Sequence, residues 1–340
     1  MNLRWHLNKW LVKTALALLR LSGWYDGYWR HWRTFFDDAQ NKGLHIMPVH
    51  YYSPIPDTRK LPDSLWLTPR APVGFDLNID QALHLLDRLS RTYGHEYKTF
   101  PKQSDGNPHR YHTANSAYLS GDAEILYAML RDLKPKKIIE IGSGFSTLLI
   151  CEAIRASKKE NPDYRCEFTA IEPFPPSFLK PPPAELTRLE SRPLQQVAPD
   201  IFSSLGPGDV LFIDSTHVAR IGSDVVHEFL HIVPGLAPGV VIHIHDIFIP
   251  EEYPRAWIDK ARFFWNEQYL VSAFLAHNPE FEVIMPTHAI WIAHADRFRK
   301  AIPSSEPEFH MASSFWIRRI PVKKTRKPVM DTKIDIPGEN

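Results

Sequence analysis

The chain is predicted to hold a doubly wound α/β domain, with a mostly parallel seven-stranded sheet under helices, behind a helical and proline-rich N-terminal extension. Three observations carry this. From about residue 115 onward, short apolar runs alternate with helical stretches, the pattern of βαβ units. The runs at 137–141, 210–213 and 240–244 are nearly continuous in Ile, Val, Leu and Phe, which marks strands buried on both faces. Of the 340 residues, 44% are hydrophobic and 23% charged, enough apolar material for a full core.

Each element has its own signal. Residues 1–114 are read as the extension, a lid over the α/β domain. Its first 44 residues are helical and rich in Trp and Tyr. Residues 45–75 carry Pro48, Pro54, Pro56, Pro62, Pro69 and Pro72 and are read as extended loop, because a residue before proline avoids the helical region. Leucines at helical spacing predict a helix over 80–93. Residues 101–108, polar with Gly and Asn, are loop. Asp122 is read as the cap of a helix whose apolar positions are Ile125, Leu126, Met129, Leu130 and Leu133, stopped by Pro135. Strands are predicted at 137–141, 168–171, 186–190, 210–213, 240–244, 281–285 and 314–317. Helices are predicted at 147–158, 224–232 and 257–275. The α/β domain thus spans 115–319, and the basic, proline-containing residues 320–340 read as a disordered tail.

A formal net charge of +1 gives no global electrostatic reason to expect nucleic acid as a partner. Two cysteines, Cys151 and Cys166, form no CxxC and no disulfide framework, which fits a reducing cytoplasm. The apolar stretch 11–21 is interrupted by Lys13 and Arg20 and is shorter than the roughly 20 residues a membrane span needs. No small-residue cleavage site comes after it, which argues against a signal peptide. Its mixture of Lys, Arg and Trp allows peripheral contact with a membrane surface, beside the plainer reading of an amphipathic helix packed on the domain.

In an open α/β sheet, ligands bind beyond the carboxyl ends of the strands, so the chemistry is sought at those ends. The first strand ends in Glu140-Ile141-Gly142-Ser143-Gly144-Phe145-Ser146-Thr147. Two glycines let backbone approach a ligand, and the next helix offers free N–H groups near Ser146 and Thr147. The second strand ends at Glu172, where a carboxylate can accept both ribose hydroxyls of an adenosine. Glycine turn and acidic strand end together point to a nucleoside cofactor. Thr147 stands where a dinucleotide fingerprint has its third glycine, which counts against NAD or FAD. Two later strands end in Phe212-Ile213-Asp214-Ser215-Thr216-His217 and His243-Ile244-His245-Asp246.

This ordered set, over about 116–319, resembles the class I S-adenosylmethionine (SAM)-dependent methyltransferases, in a branch that includes small-molecule and sugar O-methyltransferases. The resemblance implies a Rossmann-like methyltransferase fold with SAM as cofactor. It implies that Glu140, Gly142, Ser143 and Gly144 line the methionine end, that Ser146 and Thr147 supply the helix N-terminus, that Glu172 holds the ribose, and that Asp214 sits beside the methionine moiety or a metal. Catechol-type relatives hold a divalent cation at these two strand ends with an adjacent Asn. Asp214 and Asp246 match and Ile247 replaces the Asn, so Mg²⁺ is left uncommitted.

Methyl transfer needs an aligned nucleophile and a group to take its proton. His245 is the favoured base, with Asp246 orienting it or binding substrate, and His217 is the alternate. His243 is read as a buried structural histidine, and Trp265, Trp291 and Trp316 as core. Tyr111, His112, Asn115 and Tyr253 are the candidate substrate contacts, on loops near the cofactor. The expected partner is a small-molecule or glycan hydroxyl. Two other readings are a nicotinamide-dependent oxidoreductase on a similar sheet and a non-catalytic SAM-binding scaffold.

Overall fold

The computed structural model describes residues 3–21, 32–47, 49–305 and 311–321. The chain divides into two compact units, Met1–Leu65 and Trp66–Asn340. The predicted tail from residue 322 onward and residues 22–31 lie outside the described residues.

The first unit holds helix α1 (Leu3–Leu21) and helix α2 (Trp32–Gln40). Proline-punctuated backbone comes next, with a single 3₁₀ turn at Thr58–Lys60 capped by the Asp57 carboxylate. Among the described residues no helix is long and apolar enough to cross a membrane.

The second unit starts before the α/β elements. Helix α3 (Ile79–Tyr97) belongs to the stretch the sequence assigned to the extension. It buries Ala82, Leu83, Leu86 and Leu89, one face at helical spacing, in the same core as helix α4 (Asp122–Leu133). The sheet comprises β1 (Lys137–Ile141), β2 (Glu167–Ile171), β3 (Arg188–Glu190), β4 (Val210–Ile213), β5 (Val241–Ile244), β6 (Phe281–Pro286) and β7 (Phe315–Arg319). Its order is β3-β2-β1-β4-β5-β7-β6. β7 is antiparallel to both its neighbours, and the other pairs are parallel. All seven predicted strands are therefore present.

Successive residues of each central strand face opposite layers. Ile138, Phe168, Val210 and Phe212 pack under α3, α4 and helix α5 (Phe145–Glu160). Ile139, Ile171, Leu211 and Ile213 pack against the opposite layer, with Val225, Phe229 and Val271. Phe212 is fully buried, and its truncation to Ala is worth about 3–5 kcal/mol at such a site. The strand order reverses between β1 and β4, so the crevice over their carboxyl ends is the topological switch point.

Three elements differ from expectation. Helix α4 begins at Asp122 rather than after it. The Asp122 carboxylate instead accepts the backbone N–H groups of Ser313 and Ser314, fastening α4 to the start of β7. Only the first turn of the predicted helix 224–232 is α-helical (α6, Asp224–His227), and Glu228–Ile232 winds as a π-turn. The predicted helix 257–275 is broken. A π-turn at Trp257–Ala261 ends at Arg262 with φ 62°, and helix α7 runs Glu267–Leu275. Between them, Asn266 and Glu267 donate backbone N–H groups to the His217 carbonyl, and Asn266 Oδ1 accepts from Ala219 N at 2.6 Å. This docking on the loop after β4 overrides local helix propensity.

Candidate active site

The glycine turn after β1 is wedged between strands. Gly142 N donates to Ile171 O, and Asp214 N to Ile141 O, each at 2.9 Å. Gly142 has φ +84°, and a Cβ there would stand 1.9 Å from the Asp214 carbonyl oxygen, so only glycine fits. Gly144 is extended, and its N–H donates to Thr147 Oγ1 at 3.0 Å.

Glu140 lies beneath this turn, fully buried. Ser146 and Thr147 each donate a hydroxyl to one of its carboxylate oxygens at 2.7 Å. Burial pushes its pKa up to about 8 against these donors, with Asp214 and Glu172 adding to the rise. Both oxygens face the first turn of α5, so Glu140 braces the glycine turn. Ser143 Oγ is buried without a hydrogen-bond partner among the described residues.

Glu172, at the end of β2, is half-buried. One carboxylate oxygen accepts from Phe174 N at 2.8 Å and the other from Ser143 N at 3.3 Å. Each oxygen keeps a second lone pair for a ligand. The carboxylate borders a cavity of about 430 Å³ lined also by Gly142, Phe174, Gln195, Asp214 and Arg220. Sequence reasoning misses Phe174, Gln195 and Arg220, because they come from loops and a single 3₁₀ turn (Leu194–Gln196) with no periodicity to place them. The residues present fit a nucleoside cofactor. A carboxylate with free lone pairs and close-approach glycine backbone border one crevice.

The second half of the site lies over β4 and β5. His217, in the loop after β4, has φ 58°, and Asp246, after β5, has φ 55°. Two non-glycine residues held in the left-handed region beside each other mark stored backbone strain. His217 Nδ1 lies 2.8 Å from Glu267 Oε2, and its Nε2 lies 3.3 Å from Asp214 Oδ1 and 3.8 Å from Asp246 Oδ2. Burial works against its charge, but the hydrogen bonds to Asp214 and Glu267 hold its pKa well above the ordinary value. Burial likewise opposes ionisation of Asp214, yet His245 and His217 hold it down to about 2. His217 thus has both ring nitrogens against carboxylates, which favours its charged form. Behind it, Glu228 is fully buried, and burial with the neighbouring Glu267 raises its pKa strongly.

His245 is buried at the edge of the same cluster. Its Nε2 stands 3.8 Å from Asp246 Oδ1, and Ser313 Oγ donates to that oxygen at 2.9 Å. Burial lowers the pKa of His245, but the carboxylates of Asp246, Asp214 and Asp122 outweigh it and leave the value raised. The ring of Tyr118, which sequence reading does not single out, lies 4.9 Å from His245. His243 is the structural histidine expected. It stacks on Phe212 at 4.1 Å, and burial holds it neutral. Among the described residues no group of three or more His, Cys, Asp or Glu side chains has metal-holding geometry. His217 Nε2 stands between Asp214 and Asp246, the two carboxylates at these strand ends.

The four candidate substrate residues separate. Tyr111 is buried and donates to Tyr118 O at 2.9 Å. The Asn115 side chain donates to His112 O and Tyr118 O and accepts from Ala117 N and Tyr118 N. Tyr253 is buried, and its hydroxyl accepts from Gln268 N. These three anchor loops. His112 alone meets the glycine turn, edge-on to Phe145 at 5.3 Å. Trp265, expected in the core, covers His217 at 4.3 Å and stacks parallel on the half-exposed Phe263 at 5.0 Å. The broken helix places this aromatic shelf beside the cluster.

Residues 139–247, from β1 to just past Asp246, match the model of a family described as a methyltransferase domain. An uncharacterized protein of Archaeoglobus fulgidus is 30% identical over 139 residues, 39% of this chain and 60% of that protein. The chain thus spans less than two thirds of that relative's length. Solved structures that resemble it include CmcI-N160 with SAH, at 12% identity and TM-score 0.33, covering 59% of this chain and 77% of that one. Another is the MycE methyltransferase from the mycinamycin biosynthetic pathway in complex with Mg, SAH and mycinamycin VI. It matches at 15% identity and TM-score 0.34, covering 72% of this chain and 56% of that one.

Proposed function

We propose that this chain, whose residues 139–247 match a methyltransferase-domain family, is a class I SAM-dependent methyltransferase that transfers a methyl group to a hydroxyl of a small molecule or glycan. The observation that carries the reading is Glu172. Its carboxylate ends β2, is oriented by two backbone N–H groups, and borders one cavity with Gly142 and Asp214. That is where an adenosine ribose can be held by its two hydroxyls. SAM bound there supplies an electrophilic sulfonium methyl.

The chain's own groups then divide the remaining work. Glu172 accepts the ribose hydroxyls. Gly142 and Gly144 admit the methionyl portion, and Ser143 Oγ is a donor for its carboxylate. Glu140, Ser146 and Thr147 act one layer below, holding the turn rigid. His245 takes the proton of the acceptor hydroxyl. Its carboxylate neighbours raise its basicity, as a general base requires. Asp246, held by Ser313, orients it. Both ring nitrogens of His217 face carboxylates, which favours its charged form and disfavours it as the base. It acts as a positioning residue whose charge favours ionised Asp214 and which stands beside Asp246. The Phe263–Trp265 shelf offers the acceptor an apolar face.

Release of S-adenosylhomocysteine on presentation of a panel of hydroxylated acceptors tests the reading. Turnover with at least one acceptor that is abolished in His245→Ala, with SAM affinity kept, is the expected result. Turnover unchanged in that variant would remove His245 from the chemistry. A chain that binds NADH instead of SAM would overturn the reading as a whole.

A further inference from the structure

Helix α1 has a composition that the methyl-transfer site does not use. Its 19 residues contain no Asp or Glu and four basic residues, Arg4, Lys9, Lys13 and Arg20. At about 100° per residue, Lys9, Lys13 and Arg20 fall within about 40° of one another on the helix circumference, a narrow cationic stripe. From Ala17 through Trp10, Leu21 and Leu18 to Leu11 the helix carries an apolar arc of about 120°, interrupted by Thr14, and large apolar side chains of the helix are exposed. Trp10, Leu11, Val12, Leu16, Leu18 and Leu21 show 50–83% of their surface to solvent. Contiguous apolar surface of this kind marks a binding face.

We infer that α1 docks on an anionic lipid surface, lying in the interface plane. Charge selects this occupant. A stripe of cations without one acidic residue complements anionic headgroups, whereas a helix that pairs with a second copy of itself would bring like charges together. The wide apolar arc with a tryptophan beside the basic stripe is the pattern of helices that bury one face at the headgroup–acyl boundary. The four charges keep it from crossing the bilayer, in line with the absence of a spanning helix among the described residues. Docking would hold the methyltransferase domain at a membrane, where its acceptor would be collected.

Flotation of the full chain with vesicles tests this, using phosphatidylcholine alone and phosphatidylcholine mixed with phosphatidylglycerol. The expected result is co-flotation with the mixed vesicles only, weakened at least tenfold by high salt. Leu11→Glu combined with Leu18→Glu abolishes it, and Lys13→Glu combined with Arg20→Glu removes the preference for anionic lipid. All four positions are in α1, so SAM titration and thermal melting of the variants stay at wild-type values and report an intact domain. Three results would overturn the proposal. One is no flotation with either vesicle, and another is flotation indifferent to the Leu→Glu pair. The third is a dimer in sedimentation that the same pair dissociates while vesicles are ignored, which would assign the face to a second copy.

Discussion

The Nδ1 atom of His217 lies 2.8 Å from a carboxylate oxygen of Glu267, and both side chains are buried. This contact favours the charged form of His217 in the loop after β4.

Removing Glu267 leaves a charged imidazole without its main partner. Glu267→Ala is expected to lower unfolding stability by about 3–5 kcal/mol, the cost of breaking a buried ion pair from one side, read by urea denaturation. The raised pKa of His217 fixes the sign with pH. Its contribution is complete below the unfolded-state value of about 6.5 and is lost as pH rises through the higher folded-state value. The stability gap between wild type and His217→Gln should therefore narrow toward alkaline pH. A gap that widens would show that His217 is neutral in the folded chain.

Two glycines two residues apart should respond in opposite ways. Gly142→Ala places a methyl group on the Asp214 carbonyl at a positive φ, so loss of folding or of several kcal/mol is expected. Around Gly144 nothing lies within 4 Å of a built Cβ and the backbone is extended. Gly144→Ala should keep thermal stability within about 0.5 kcal/mol and lower SAM affinity instead. Melting curves with SAM titration separate the two effects.

The pH profile of turnover should have its acid limb above about 6.5, the ordinary histidine value. The base must be neutral to act, and its carboxylate neighbours raise the pKa of His245. His245→Ala should lower kcat by about 10²–10⁴-fold and remove that limb. An acid limb that persists in the variant would assign the titration elsewhere.

Trp265→Ala should raise the acceptor KM while leaving the SAM Kd unchanged, because the shelf covers His217 and is absent from the lining of the nucleoside cavity. A parallel loss of SAM affinity would mean that Trp265 merely supports the loop.

The central strands β1, β2, β4 and β5 are legible in the sequence because largely apolar runs closing on Gly142, Glu172, Asp214 and Asp246 admit few other structures. The strand-end residues Gly142, Glu172, Asp214 and Asp246 are legible because the fold class says where ligands sit. The break at Arg262 is not, since no Pro or Gly announces it and its cause is the docking of Asn266 on the distant His217 loop. With that break goes the position of Trp265. Glu267 is hidden for the same reason. Its partner stands 50 residues earlier, and nothing local distinguishes it from a surface carboxylate at the start of a helix. The anchoring roles of Tyr111, Asn115 and Tyr253 likewise depend on which backbone groups fold back to meet them.

Whether Glu172 and the glycine turn hold SAM is tested most directly by isothermal titration of the full chain with SAM, with NADH as the comparison. Micromolar SAM binding that Glu172→Ala abolishes and His245→Ala preserves, with no NADH binding, is the predicted result. Absence of SAM binding in the folded wild-type chain, or equal affinity in Glu172→Ala, would contradict it.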